Sequence, residues 1–200
     1  MPELKVCGTT SLGFALDAAS RGVDYLGVIF AERSPRRIGL EAAAEIASKL
    51  RGPRLVGVFA GNAIDEIESI AKRVPLDVIQ LHGGYGAEAV ARLKAAGLEV
   101  WRLYDGTFAG EDATLLDGRD GARCGGTGRL ADWALVADLK RAGRRVVLAG
   151  GISADNISEA VATGADVIDA NSSLETAPGV KSVERLDALL ERFRESTKTN

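Results

Sequence analysis

Eight short β-rich runs alternate along this 200-residue chain with stretches of helix-forming residues. The runs are Leu4 to Gly8, Tyr25 to Phe30, Leu55 to Ala60, Val78 to His82, Val100 to Asp105, Thr114 to Gly118, Val146 to Gly151 and Asp166 to Asn171. Near-continuous apolar runs joined by amphipathic helices are the pattern of parallel strands covered by helices. Segments such as AASRGVDYLGV, KAAGLEVWR and VATGADVIDA repeat one order of events, in which a helix ends on a glycine and a strand follows. An open doubly wound sheet and a closed ring share this rhythm, but eight units favour closure. The expected fold is therefore α/β, a (βα)8 TIM barrel, although such barrels are usually nearer about 250 residues.

The shortfall has a place in the chain. Only GTFAGEDA stands between the fifth and sixth runs, too little for a helix and its loops. A shortened or absent fifth helix follows. Residues 1–200 are expected to form one barrel domain, with the polar tail RESTKTN (194–200) frayed.

The net charge of −3, with acidic and basic residues intermixed, provides no basic stripe, so no nucleic-acid partner is expected. Trp101, Tyr104 and Trp133 accordingly read as packing anchors rather than a base-stacking surface. No run reaches the 18 or so apolar residues of a membrane span, and MPELKVCGTT lacks the pattern of a signal peptide. These features predict a cytoplasmic protein with no membrane partner. Two cysteines, Cys7 and Cys124, and a single histidine, His82, are too few for a Cys/His zinc site. Only a carboxylate site would be open to magnesium, and a reducing compartment leaves both thiols free.

In a parallel barrel the chemistry gathers where the strands end. The runs place Cys7 after strand one, Arg36 after strand two, His82 after strand four and Asp117 after strand six. Three glycine- or serine-rich turns follow late in the chain: CGGTGR from Cys124, AGGIS around Gly150 and Gly151, and DANSS around Ser172. Such turns expose several backbone N–H groups and favour phosphate. One of them alone is only a tight loop; three on adjacent units match the phosphate cradle formed late in the barrel cycle.

An ordered set of motifs runs through the whole chain: KVCG (Lys5 to Gly8), LGVIF then SPR (Ser34 to Arg36), VGVFAG around Val58, VIQLHG (Val78 to Gly83), LLD (Leu115 to Asp117), GGTG (Gly125 to Gly128) then DW, AGGI (Ala149 to Ile152), and PG (Pro178, Gly179). In this the chain resembles the phosphoribosylanthranilate isomerase family of tryptophan biosynthesis. The resemblance implies a cofactor-independent aldose-ketose isomerase that converts N-(5-phosphoribosyl)anthranilate to 1-(o-carboxyphenylamino)-1-deoxyribulose 5-phosphate by an Amadori rearrangement. It puts the general base on Cys7, the general acid on Asp117 and the anthranilate contact on Arg36. It puts phosphate binding on Gly126, Thr127, Gly128, Gly150, Gly151, Ser172 and Ser173. Monomers and homodimers are both compatible with it. The chain departs from the family pattern at Thr9, which follows Cys7-Gly8 with a hydroxyl; at Ser173, where the phosphate turn has glycine; and after PG, where a Lys–Asp pair is reduced to Lys181 followed by Ser182.

The residue types suit the reaction. A carboxyl at the rim can protonate the ring oxygen, and the iminium so formed makes the C2′ hydrogen acidic enough for a thiolate to remove. A thiol near pKa 8.5 is only a few per cent ionised at neutral pH, so a cation, a helix dipole or a nearby base must favour the thiolate. The forked guanidinium of Arg36 suits a planar carboxylate. No step needs a metal or a redox cofactor. His82 reads first as a loop-ordering residue and only second as a substrate contact, and Cys124 as incidental. Lys5 lies two residues before Cys7 and so on the same strand face. A lone buried ammonium requires a carboxylate, and barrel closure makes Asp169 the leading candidate. Two other functions share these features. One is a noncatalytic phosphosugar-binding protein; the other is the related isomerisation of a two-phosphate substrate in histidine biosynthesis, disfavoured because the first half of the chain has no second turn comparable with GGTG.

Overall fold

A computed structural model describes residues 1–118 and 133–198. In chain order these form β1 (Glu3–Val6), α1 (Leu12–Ser20), β2 (Tyr25–Ile29), α2 (Leu40–Lys49), β3 (Arg54–Ala60), α3 (Ile64–Arg73), β4 (Val78–His82), α4 (Ala87–Ala95), β5 (Glu99–Leu103), β6 (Ala113–Asp117), α5 (Ala134–Arg141), β7 (Val146–Ala149), α6 (Ile157–Ala162), β8 (Val167–Ala170), a 3-10 turn (Ser172–Leu174), β9 (Glu175–Ala177), β10 (Val180–Lys181) and α7 (Val183–Lys198). Strands β1 to β8 pair in parallel in sequence order, and β8 pairs with β1 to close the barrel. Closure sets Lys5 beside Asp169. No helix lies between β5 and β6, where residues 104–112 loop directly from one strand to the next. Arg102 holds that loop, donating to the carbonyls of Tyr85 (2.7 Å) and Thr107 (3.1 Å) and to the Asp105 carboxylate.

Alternation along the strands divides the core into two layers. Leu4 and Val6, Leu55 and Phe59, Ile79 and Leu81, and Ile168 and Ala170 face the helices. Lys5 and Cys7, Val56 and Val58, Val78 and Gln80, and Val167 and Asp169 occupy the alternate positions, facing the barrel axis. The N-terminal end of the interior is filled by Tyr25 packed edge-on against Trp101, with ring centroids 5.0 Å apart. Arg145 ties that end together, bonding Glu3 (2.7 Å), Glu99 (2.9 Å) and the Tyr25 hydroxyl (2.9 Å). With this end filled, open space lies at the opposite mouth.

The last helix, α7, continues to Lys198, with the Ser158–Ser196 hydroxyl pair (2.7 Å) and Arg194 donating to the Arg21 carbonyl (2.6 Å). The expected eighth strand is followed by an antiparallel hairpin, β9–β10, which turns on Pro178 and Gly179. Gly179 has φ +80°, a conformation in which L side chains are strained. No helix among the described residues is long and apolar enough to cross a membrane.

Candidate active site

The strand ends surround a cavity of about 290 Å³ at the C-terminal mouth, bordered by Cys7, His82, Asp117, Gly150, Gly151, Asp169 and Ser172 among others. Seven of the residues picked out from sequence therefore meet in one place. Cys7 follows β1 directly and continues its ladder, its N–H donating to the Ala170 carbonyl (2.9 Å). The thiol is buried, and burial pushes its pKa up, against the pull of the Lys5 and Lys181 ammonium groups. Lys5 and Asp169 are paired at 2.6 Å, with side-chain exposures of 0% and 5%. Burial works against the Lys5 ammonium, but Asp169 and Cys7 hold its pKa above the ordinary value. The second carboxylate oxygen of Asp169, Oδ1, is buried and has no hydrogen-bond partner among the described residues, on a residue that borders the cavity.

Space for the Cys7–Lys5 pair comes from the neighbouring strand. Gly27 on β2 has no side chain, and a Cβ there would stand 2.8 Å from Cys7 Sγ, 3.1 Å from Cys7 Cα and 3.3 Å from Lys5 Nζ. Thr9, in the loop after Cys7, donates its backbone N–H to the Gly27 carbonyl (2.9 Å). Its hydroxyl is buried without a partner among the described residues.

Asp117 is the last residue of β6. Gly150, at φ +89°, makes room for it: a Cβ on Gly150 would lie 2.8 Å from Asp117 Oδ1 and closer still to the Gly118 nitrogen. His82 sits 2.7 Å from the Gln80 amide across one face of β4, and Gln80 Oε1 is buried with no partner among the described residues.

Two residues are not in the cavity's lining. Ser173 gives its hydroxyl to the Ile152 carbonyl (2.6 Å) and does not border the cavity, unlike its neighbour Ser172. Arg36 does not border the cavity either; Ser34 of the same SPR segment does, and it accepts the Arg36 N–H (3.1 Å). The guanidinium of Arg36 is engaged by Glu175, Nε to Oε1 and Nη2 to Oε2, both at 2.7 Å. Glu175 holds the Arg36 pKa above its ordinary value. Gly126, Thr127, Gly128 and Cys124 lie outside the described residues. Among the described residues no group of three or more His, Cys, Asp or Glu side chains is placed to hold a metal ion.

Sequence reasoning did not single out Gly27, Gln80 or Glu175. Gln80 had a usable signal, since it lies two residues before His82 and so shares its inward face. Glu175 had none, being 139 residues from its partner Arg36.

Comparison with known proteins bears on what this cavity does. The family model for N-(5′-phosphoribosyl)anthranilate isomerase matches residues 4–192. An N-(5′-phosphoribosyl)anthranilate isomerase of Rubrobacter xylanophilus is 40% identical over 211 aligned positions, covering 100% of both chains. The solved phosphoribosyl anthranilate isomerase of Thermus thermophilus superposes with a TM-score of 0.84 at 36% identity, covering 96% of this chain and 98% of that one. A phosphoribosyl anthranilate isomerase solved in complex with reduced 1-(o-carboxyphenylamino)-1-deoxyribulose 5-phosphate superposes with a TM-score of 0.82 at 26% identity, covering 98% of this chain and 100% of that one.

Proposed function

The chain belongs to the N-(5′-phosphoribosyl)anthranilate isomerase family, and we propose that Cys7 and Asp117 carry its Amadori rearrangement as general base and general acid. The reaction converts N-(5-phosphoribosyl)anthranilate to 1-(o-carboxyphenylamino)-1-deoxyribulose 5-phosphate. Hydrogen leaves C2′ as a proton and a proton is taken up at C1′, so electrons balance within the substrate and no cofactor is needed.

The observation that carries the assignment is that Cys7 and Asp117 border one cavity from strands three places apart around the closed ring. Proton donation and proton abstraction occur at different substrate atoms, so groups on two sides of the pocket suit the reaction better than a bonded pair. Asp117 protonates the ring oxygen, the C1′–O bond breaks, and the nitrogen lone pair closes an iminium. Cys7 then takes the C2′ proton, leaving an enolamine that tautomerises to the ketone.

In this reading the phosphate lies against the turns holding Gly150, Gly151 and Ser172, with Gly126, Thr127 and Gly128 completing its cradle. Arg36 serves the carboxylate end, and the unpartnered Asp169 oxygen accepts from a substrate hydroxyl, as buried acceptors require a donor. Gln80 orders His82 beside it. The chain acts in the cytoplasm, where reducing conditions keep the Cys7 thiol free. It acts as a monomer or homodimer on a small phosphorylated substrate, with no nucleic acid and no membrane.

The test is turnover of the phosphoribosylanthranilate substrate by purified, folded variants. Cys7→Ala and Asp117→Asn are each expected to lower kcat by at least about 100-fold. Near-wild-type turnover by either variant removes that residue from its role.

A further inference from the structure

The β9–β10 hairpin carries two charged side chains that the reaction scheme does not use. Glu175 takes Nε and Nη2 of Arg36 at 2.7 Å each. Lys181 Nζ donates to Glu175 Oε1 (3.0 Å) and to both the backbone and side-chain oxygens of Asn171 (2.8 Å each). Glu175 and Lys181 are almost fully enclosed, with side-chain exposures of 4% and 1%. Two cations therefore share one carboxylate, leaving one positive charge in excess beside the cavity wall formed by Ser34 and Asn171.

The surroundings are shaped to hold this arrangement. Gly8, at φ +74°, has its missing Cβ position 3.0 Å from Arg36 Cδ and 2.8 Å from Asn171 Oδ1, so a side chain there would press on both. The hairpin turn is fastened to the loops after β1 and β2. Thr10 Oγ1 donates to the Gly179 carbonyl (2.6 Å), and a Cβ on Gly179 would be 3.5 Å from the Pro35 carbonyl oxygen. Of the five guanidinium N–H groups of Arg36, Glu175 takes two, and Nη1 has no partner among the described residues.

We infer that Glu175 and Lys181 are positioning residues for substrate selection: the hairpin clamps one edge of Arg36 so that the Nη1 edge meets the substrate's aryl carboxylate. This rests on the proposed role of Arg36. A bidentate partner fixes the plane of a guanidinium as well as its position. Lys181 keeps Glu175 from neutralising the site, so a carboxylate still finds net positive charge there. An arylamine lacking the carboxylate would gain nothing from the clamp.

The experiment compares turnover of phosphoribosylanthranilate with that of its phosphoribosylaniline analogue, which lacks only the carboxylate. Arg36→Met, Glu175→Gln and the double variant are assayed after thermal unfolding has confirmed that each folds. Glu175→Gln is expected to raise KM for the carboxylate substrate about tenfold, the size of one charge-assisted contact, with a smaller fall in kcat. It should leave KM for the aniline analogue within about twofold. In the Arg36→Met background it should add little, because it acts through Arg36. An equal rise in KM for both substrates, or a full additive rise in the double variant, overturns the inference while leaving Arg36 in its role. An unchanged KM in Arg36→Met removes the role of Arg36 and the inference with it. Should Glu175→Gln fail to fold, Lys181→Met is read with the same two substrates: selective loss for the carboxylate substrate supports the clamp, and equal loss refutes it.

Discussion

Replacing Gly27 with alanine is a sensitive probe of how the proposed base is held. The added methyl carbon would be 2.8 Å from Cys7 Sγ and 3.1 Å from Cys7 Cα. Ordinary contact begins near about 3.5 Å, so the sulfur must retreat by roughly 0.7 Å or the two strands must part. The second route is resisted, because β2 is paired on both sides, to β1 and to β3. Gly27 has no positive φ, so the substitution brings no backbone strain and acts by bulk alone. Overpacking of this size costs about 1–3 kcal/mol, which for a chain of this length lowers Tm by roughly 2–12 °C. Displacing a reacting group by a large fraction of an ångström lowers kcat by about 10–100-fold. KM should change less than kcat, because the atoms nearest the added carbon belong to Cys7 and Lys5 rather than to the phosphate turns or Arg36. Steady-state turnover and thermal unfolding of one preparation measure both effects. A Gly27→Ala variant with wild-type kcat and unchanged Tm would refute the claim that this gap sets the position of Cys7.

Gly150→Ala should act similarly on the acid: its Cβ would press on Asp117 Oδ1 from 2.8 Å, in a backbone conformation with φ +89°, and kcat should fall at least about tenfold. Retention of full turnover would show that Asp117 does not depend on this turn. Lys5→Met strands a buried carboxylate and should cost about 3–5 kcal/mol in denaturant unfolding, with Lys5→Met/Asp169→Leu recovering much of it; equal losses in the single and double variants would contradict the pairing. Burial works against the Glu175 carboxylate, but Arg36 and Lys181 hold its pKa below the ordinary value. The stability it contributes is therefore present above the unfolded value of about 4.3 and lost as pH falls through the lower folded one. Tm measured down that acid range should fall less steeply in Glu175→Gln than in wild type, and parallel curves would argue against the linkage.

The barrel was legible because its signal is periodic. Each strand run survives in the structure within a residue or two at either end, and the missing helix was foreseeable from the eight residues GTFAGEDA. The Lys5–Asp169 pair was legible for a different reason. A strand period of two puts Lys5 on the face of Cys7, ring closure makes β8 the neighbour of β1, and a buried ammonium needs a carboxylate. What escaped lacked any local pattern. Strands of three and two residues, Glu175–Ala177 and Val180–Lys181, are too short to show alternation, so the hairpin and its hold on Arg36 were hidden. Gly27 escaped because a glycine that provides space on an adjacent strand looks the same in sequence as one that permits a turn. The contacts at the end of α7 are hidden for the same reason, since they reach α6 and the Arg21 carbonyl, neither of which is near in sequence.

The environment of Cys7 dictates the order of the proposed steps. Burial disfavours its thiolate, and the nearest cation, Lys5, is already paired with Asp169 at 2.6 Å. Lys181 contributes from farther off and is bound to Glu175. The free site therefore favours the thiol over the thiolate. Donation of a proton from Asp117 to the ring oxygen changes this, because the iminium places a positive charge on the atoms next to the C2′ hydrogen that Cys7 must reach. A unit charge about 4 Å away at an effective dielectric of about 20 favours the thiolate by roughly 4 kcal/mol. In the proposed scheme the base thus becomes competent only after the acid has acted. A site arranged this way avoids holding a reactive thiolate at rest, and its two proton transfers are coupled through the charge of the substrate without contact between the two residues.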